Sequence, residues 1–371
     1  MRWLVFGTYD VHRHPRVGVL IEGLRAAGDD VVEANAPMAL STAGRVALVR
    51  QPWRLPGFGV QLARCWWRLA RQVRTARRAA GYRRPDAVLV GYLGHFDVRL
   101  ARRLFRGTPI VLDQLVSAAG TARDRGLSGT GGPKAALMRA IDDGALRRAD
   151  VILVDTAENL AGLPPADRDR AVVVPVGAGA AWFQAGAAPA DRLRVIFVGL
   201  FTPLHGTPAL GAALGLLAGD DRIEVTMVGT GQDYPRCRQA AGANPRVTWL
   251  DWVDAAELPA LVARHHVALG IFGTTPKTGK VVPTKVFQGA AAGCAIVTSD
   301  TAPQRAELAD AALYVPAGDA GALAEALREL AADPARLAGL RSAAAARAAD
   351  AFAPASVVAP LRARLSATAA A

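Results

Sequence analysis

Short apolar, β-branched runs recur along the chain. Each gives way to a segment in which apolar positions return every three or four residues. In the first half these runs are WLVF (3–6), DVVEA (30–34), AVLVGY (87–92), IVLD (110–113), VILVD (151–155) and VVVP (172–175). In the second half they are RVIFVG (194–199), EVTMVG (224–229), VTWL (247–250), VALGIF (267–272), AIVTS (295–299) and ALYVP (312–316). Strands without polar alternation are covered on both faces, as in parallel sheets flanked by helices. Their alternation with helical patterns through both halves predicts two Rossmann-like, doubly wound α/β domains. The first is expected over residues 1–176 and the second over 193–350. Between them GAGAAWFQAGAAPAD (177–191), within a linker of 177–192, has the Gly- and Ala-rich composition of a hinge. Two helical stretches follow Pro334, and the last, within 351–371, is expected to fold back on the first domain.

The totals agree with this picture. A chain of 371 residues is too long for one ordinary core, and 51% hydrophobic content excludes a disordered polymer. No run of about 18 uncharged apolar residues is present, so no spanning helix is expected. The opening MRWLVFGTYD turns polar too soon for a signal peptide and reads as a first strand. Cys65, Cys237 and Cys294 are far apart and lack C-x-x-C spacing, which points to a reducing cytoplasm and away from structural zinc.

Charge adds one feature. The net charge is +12, and no Asp or Glu occurs between Glu33 and Asp86, a gap holding eleven arginines from Arg45 to Arg84. Within it, residues 60–80 read as an amphipathic helix with Leu62, Trp66, Leu69 and Val73 on one side and Arg64, Arg68, Arg71 and Arg78 on the other. Two readings stand: a helix packed on the sheet with a solvated basic face, or residues 60–84 docking on an anionic membrane surface. Nucleic acid is not an expected partner, because no recognised binding motif accompanies the charge.

In doubly wound sheets, ligands bind beyond the carboxyl ends of the strands, so the candidate chemistry lies in the loops that follow them. After the first strand come Gly7, His12, Arg13 and His14, without the G-x-G-x-x-G dinucleotide fingerprint. A plain surface loop fits as well. His95 follows the strand at 87–92, where a cap is as good a reading as a catalyst. Asp113 ends a strand and suits either a hydroxyl acceptor or a cap, with Ser117 and the cluster Arg123-Asp124-Arg125 after it. Gly199, Thr202, His205 and Gly206 lead into a helix N-terminus, a geometry that can hold phosphate. Gly273, Thr274, Thr275, Lys277, Gly279 and Lys280 form a polar loop after a buried strand. Pro283 then suits a first helical turn, and Lys285 and Gln288 share a helix face. A lysine there opposes the macrodipole unless both serve one anion; otherwise it points away into solvent.

At this point the sequence resembles a known family. Pro283-Thr284-Lys285-Val286-Phe287-Gln288-Gly289-Ala290-Ala291-Ala292-Gly293 matches P-x-K-x-x-[EQ]-x-x-A-x-G, and AIVTSDTAPQRAEL follows. This is similar to the C-terminal domain of family 4 retaining glycosyltransferases of GT-B fold. FVGLFTPLHG, IEVTMVGTGQDYP and VTWLDWVDAAELPALVARHHVALGIF resemble successive units of the same domain, over roughly residues 172–330.

The resemblance implies two domains facing across a cleft. A nucleoside-diphosphate sugar would be held mostly by the second, and a hydroxyl acceptor by the first. It implies Gly199, Thr202, His205 and Gly229 near the diphosphate. Asp251, Trp252 and Val253 would flank the base, and Gly273, Thr274 and Lys280 would face sugar and diphosphate. Pro283, Thr284, Lys285 and Gln288 would complete the donor site, Lys285 neutralising phosphate charge and Gln288 standing where an acid grips the ribose. His95 would be catalytic with Lys285, and Gly7, His12 and Asp113 would lie on the acceptor side.

The implied reaction is hexosyl transfer to a cell-envelope glycan, glycolipid or secondary metabolite. It would proceed by front-side attack with retention, without metal or cofactor. Leu200 and His205 stand where the family often has Arg and Lys, and Lys280 and Gln288 where two acids are usual. These departures keep two further readings open: a non-catalytic sugar-nucleotide binder, and a GT-B sugar-nucleotide epimerase.

Overall fold

The structure is a computed structural model and describes residues 1–11, 14–38, 51–92, 94–115, 117–120, 132–188 and 190–370. The chain divides into two compact units. One comprises Met1–Val174 with Val358–Ala371, and the other Pro175–Val357.

The first unit runs β1 (Arg2–Gly7), α1 (Pro15–Ala26), β2 (Asp30–Asn35), α2 (Leu55–Arg78), β3 (Ala87–Val90), α3 (Asp97–Leu104), β4 (Ile110–Asp113), α4 (Pro133–Leu146) and β5 (Val151–Val154). Short helices α5 (Ala157–Ala161) and α6 (Pro165–Arg168) lead to β6 (Ala171–Val173). The sheet is parallel, in the order β2-β1-β3-β4-β5-β6. Every residue of β3, β4 and β5 is buried, which is why those sequences carry no polar alternation. The edge strand β2 is mostly accessible, so it tolerates Asp30 and Glu33. Helix α2 lays Cys65, Leu69 and Val73 on the sheet, against a core containing Phe6, Val88 and Leu112. Trp66 and Leu62 are half-buried beside them, so the seam lies nearer Cys65 than the sequence reading put it.

The second unit runs β7 (Leu193–Val198), α7 (Thr207–Leu216), β8 (Ile223–Val228), α8 (Tyr234–Ala241), β9 (Val247–Leu250), α9 (Leu258–Ala263), β10 (Val267–Leu269) and α10 (Thr284–Ala291). It continues through β11 (Ala295–Ser299), α11 (Ala302–Leu308), β12 (Ala312–Val315), α12 (Ala320–Ala332) and α13 (Pro334–Arg347). Its parallel sheet is ordered β12-β11-β10-β7-β8-β9, the strand order of dinucleotide-binding Rossmann sheets. A last helix, α14 (Pro354–Ala370), carries the chain back into the first unit. There Arg362 Nε donates to Asp29 Oδ2 at 2.9 Å.

The Gly- and Ala-rich segment before β7 is tied into the second unit. Ala188 O accepts from His266 Nε2 at 3.0 Å, and Ala187 O accepts from Arg341 Nη2 at 2.6 Å. Each sheet has a point where strand order reverses, between β1 and β3 in the first unit and between β7 and β10 in the second. Such switch points are where open α/β sheets bind ligands.

Candidate functional site

In the second unit, three loops meet at the switch point. The β7 loop is stitched to the β8 loop by Phe201 N–H donating to Thr230 O (3.0 Å). Phe272 N–H of the β10 loop donates to His205 O (3.0 Å). The loops approach so closely that two positions admit only glycine. Gly206 has φ +63°, and a Cβ there would stand 2.3 Å from the carbonyl carbon of Phe272. Gly229 has φ +114°, and its Cβ would stand 2.1 Å from Gly199 O. Gly206→Ala is therefore expected to cost more than about 2 kcal/mol, through left-handed strain added to a backbone clash. A thermal melt of the variant within a degree of the wild type would contradict this packing.

Lys285 lies on the floor of these loops. Helix α10 begins at Thr284. Pro283 is extended (φ −74°, ψ 146°) and so precedes the first turn rather than occupying it, as the sequence had suggested. The Lys285 residue is half-buried, but its Nζ is inaccessible and has no hydrogen-bond partner among the described residues. The ammonium sits 3.6 Å from the centre of the Phe197 ring, close against Gly199. Burial drives its pKa well below the ordinary lysine value. The solvated lysine that spacing alone allowed is thus not found. Gln288, one turn on, shares with Lys285 the wall of a void of about 10 Å³, the size of one water.

Around this point, His205 Nδ1–H donates to Leu200 O, its own loop's carbonyl. Thr202 Oγ1 lies 3.4 Å from the same nitrogen. Gly273 is buried beneath Pro203, while Thr274 and Lys280 are exposed. At the end of β9, Tyr234 O–H donates to Asp251 Oδ1 at 3.2 Å, and Val253 is half-buried. Trp252 is 82% exposed. An indole left in water at a strand's carboxyl end is available for stacking.

The first unit's switch point carries a second cluster. Asp97 opens α3 and accepts from Thr8 N–H and Thr8 Oγ1–H, both at 2.8 Å, next to Gly7. Its other oxygen accepts from Trp66 Nε1–H at 2.8 Å. His95 is only 7% exposed. Its Nε2 lies 3.1 Å from Asp142 Oδ1 of α4 and 3.4 Å from the Gln114 amide.

Asp142 is held by Ser117 Oγ–H (2.8 Å), Ala118 N–H (2.8 Å) and Ala119 N–H (3.0 Å). Burial pushes its pKa up, but the hydrogen bonds from His95 and the two backbone N–H groups outweigh burial and hold it below the usual carboxylate range. An ionised Asp142 fixes the proton on His95 Nε2, and the described residues make no hydrogen bond to Nδ1. Nδ1 is then the ring's acceptor. Gln114 Oε1 is buried without a partner among the described residues, and turning that amide over would offer the oxygen to the same ring N–H.

Neither Asp142 nor Gln114 was singled out by sequence. Asp142 lies 47 positions from His95 along the chain, on a different helix, and no spacing rule links them. Asp113 also departs from expectation. Its side chain is fully enclosed, and Oδ1 accepts from the buried Arg16 Nε at 2.8 Å. Arg16 Nη1 reaches Val174 O at 3.0 Å, so the pair ties α1 to the ends of β4 and β6 and presents no carboxylate to an acceptor. His12, Arg13, Arg45, Arg50 and the cluster 123–125 lie outside the described residues. Among the described residues no three His, Cys, Asp or Glu side chains converge as metal ligands, and no helix is long and apolar enough to cross a membrane.

With this geometry in hand, comparisons place the fold. Residues 192–333 match the family model "Glycosyl transferases group 1". Sucrose-phosphate synthase from Thermosynechococcus elongatus superposes with a TM-score of 0.70 at 17% identity, covering 100% of this chain and 99% of that one. HepE of Anabaena in complex with UDP-glucose gives 0.67 at 15% identity, covering 100% and 99%. The α,α-trehalose 6-phosphate synthase of Burkholderia multivorans gives 0.61 at 16% identity, again covering 100% and 99%. No curated protein matches the sequence. At these identities the likeness is one of fold, and the fold is GT-B: two Rossmann-like α/β units, each with a parallel sheet.

Proposed function

We propose that this chain is a retaining glycosyltransferase of the family 4 type, acting in the cytoplasm. It moves a hexosyl group from a nucleoside-diphosphate sugar to a hydroxyl acceptor. The observation that carries this reading is the buried Lys285 Nζ under Gly199, without a hydrogen-bond partner among the described residues. Burial makes the charged form of this amine costly until an anion arrives to meet it. It stands where three strand-end loops of a domain matching a glycosyltransferase model come together.

In this reading the diphosphate lies over Gly199 and Gly229, with Thr202, Thr274 and Lys280 at its edges. Lys285 and the N-terminus of α10 stabilise the charge that grows on the leaving diphosphate, the work a divalent cation does elsewhere. The base stacks near Trp252 between Asp251 and Val253. The donor's own phosphate oxygen takes the acceptor's proton as the hydroxyl attacks from the front face. His95 contributes its Nδ1 as an acceptor for a sugar hydroxyl, its tautomer fixed by Asp142.

Gln288 holds the ribose hydroxyls without charge assistance. Gln288→Glu is therefore expected to tighten nucleotide binding by about three- to tenfold. A titration showing weaker binding would remove Gln288 from the ribose.

Incubation with UDP-, GDP- and ADP-sugars in EDTA, with and without simple alcohol acceptors, tests the reading. The expected result is release of nucleoside diphosphate and a product of unchanged anomeric configuration. An inverted product, or turnover that requires metal, would overturn the mechanism. A donor altered in its sugar without any acceptor would establish an epimerase. One observation favours a non-catalytic binder: His205 is engaged with its own loop rather than offering a second cation, and Leu200 supplies none. Nucleotide binding without release under every acceptor condition would decide for that reading.

A further inference from the structure

We propose that helix α2 is a membrane-docking face that holds the protein on anionic lipid, with Trp67 and Val60 entering the interface and the surrounding arginines on the headgroups. The helix has two sharply different sides. Cys65, Leu69 and Val73 are buried on the sheet. At about 100° per residue, Arg64, Arg68, Arg71, Arg74 and Arg78 span a roughly 120° arc on the other side. All five are exposed and make no ion pair among the described residues. A solvated basic face needs nothing more, but this one carries large apolar groups as well. Val60 and Trp67 fall inside the same arc and are 54% and 59% exposed. Just before the helix Trp53 is 73% exposed, and Leu55, the first residue of the helix, is exposed as well.

Exposed tryptophan and aliphatic groups set among arginines match a bilayer interface, where indole sits at headgroup depth and guanidinium meets phosphate. They suit nucleic acid less well, since no binding motif accompanies them. The charge complementarity is one-sided, because no carboxylate lies between Glu33 and Asp86 to repel anionic lipid.

The inner side of the helix also touches the His95 loop. The Phe58 and Phe96 rings pack edge-to-face at 5.9 Å, and Trp66 donates to Asp97. A docked α2 therefore holds the loop bearing His95 about one helix diameter (~10 Å) from the lipid surface, and a lipid-linked hydroxyl is the acceptor class such an arrangement serves. Docking itself does not depend on the proposed transfer; the choice of acceptor does.

The test is co-sedimentation of the full chain with unilamellar vesicles of phosphatidylcholine, alone or mixed with phosphatidylglycerol. Wild type is expected to sediment with the mixed vesicles only, and less so as salt rises. Each arginine near an anionic surface contributes about fivefold, so replacing Arg64, Arg68, Arg71 and Arg74 by Gln should weaken binding by more than about 100-fold. Trp67→Ser with Val60→Ser should weaken it about tenfold and reduce quenching of tryptophan fluorescence by brominated lipid. Thermal melts of both variants at the wild-type temperature keep the comparison valid. Wild type remaining in the supernatant, equal sedimentation with pure phosphatidylcholine, or variants binding like wild type would each overturn the proposal. If vesicles bind and no sugar is transferred, docking stands and the proposed function falls.

Discussion

Lys285→Met is expected to raise the melting temperature of the free protein while lowering its affinity for a nucleoside diphosphate by about 10- to 100-fold. The two effects have one cause. In the free protein the amine is enclosed, and among the described residues it has no hydrogen-bond partner and faces the Phe197 ring. Methionine keeps the stem and removes the desolvated charge, so the gain in stability is of order 1 kcal/mol or more. The ligand, however, loses its cation.

The pH dependence gives an independent check. The pKa of Lys285 is depressed in the folded state, so between the folded and unfolded values the unfolded chain binds more protons. The penalty is full below the folded pKa and fades as pH rises toward the ordinary lysine value. Wild type should therefore gain stability relative to Lys285→Met on moving from neutral to alkaline pH, and the two melting curves should converge. A lysine that merely supports the fold would give the opposite: the methionine variant would melt lower and bind nucleotide as before.

The second large effect is expected at His95. His95→Ala should lower kcat by about 10²- to 10³-fold and leave nucleotide affinity within about twofold. Asp142→Asn should lower kcat by about tenfold, because an amide can donate to Nε2 and so release the tautomer that the carboxylate enforces. A side chain that only stabilised the fold would not separate kcat from KM in this way.

Asp142 also makes a prediction about stability. Its folded pKa is depressed, so it stabilises the protein above the unfolded carboxylate pKa, and that contribution is lost as pH falls through the folded value. The asparagine variant should therefore differ most from wild type near neutral pH and least in strong acid. Equal kcat in wild type and both variants would remove this cluster from catalysis.

Much of the architecture could be read from the pattern of apolar residues. Strands β3, β4 and β5 are buried at every position, and such strands leave an uninterrupted apolar run in the sequence. Gly206 was legible only as a glycine before a helix N-terminus, and Gly229 only through the resemblance; that both sit where backbones touch is a tertiary contact that the pattern does not encode. Lys285 was legible as a charge in the wrong place, at the start of an apolar helix. Its burial was not, because the side chain folds back under a neighbouring strand, and spacing along one helix carries no information about that.

Asp142 and Gln114 were invisible for a related reason. They meet His95 only because β4 and α4 are brought together by the sheet, and local spacing does not encode such contacts. Asp113 misled because a carboxylate at a strand's end looks the same in sequence whether it faces solvent or a buried guanidinium. Arg16, at the opposite end of the first unit's sequence, decides which it is.

The central claim is that the loops at the second unit's switch point hold a nucleoside diphosphate over Lys285. Amide hydrogen exchange with and without saturating UDP in EDTA tests it most directly, with GDP and ADP as parallel probes. The account predicts that one of these nucleotides slows exchange in residues 199–206, 229–234, 270–280 and the first turn of α10, and that Lys285→Met abolishes the protection at the same concentration. Protection confined to the first unit, or protection in the second that is indifferent to Lys285→Met, would contradict it.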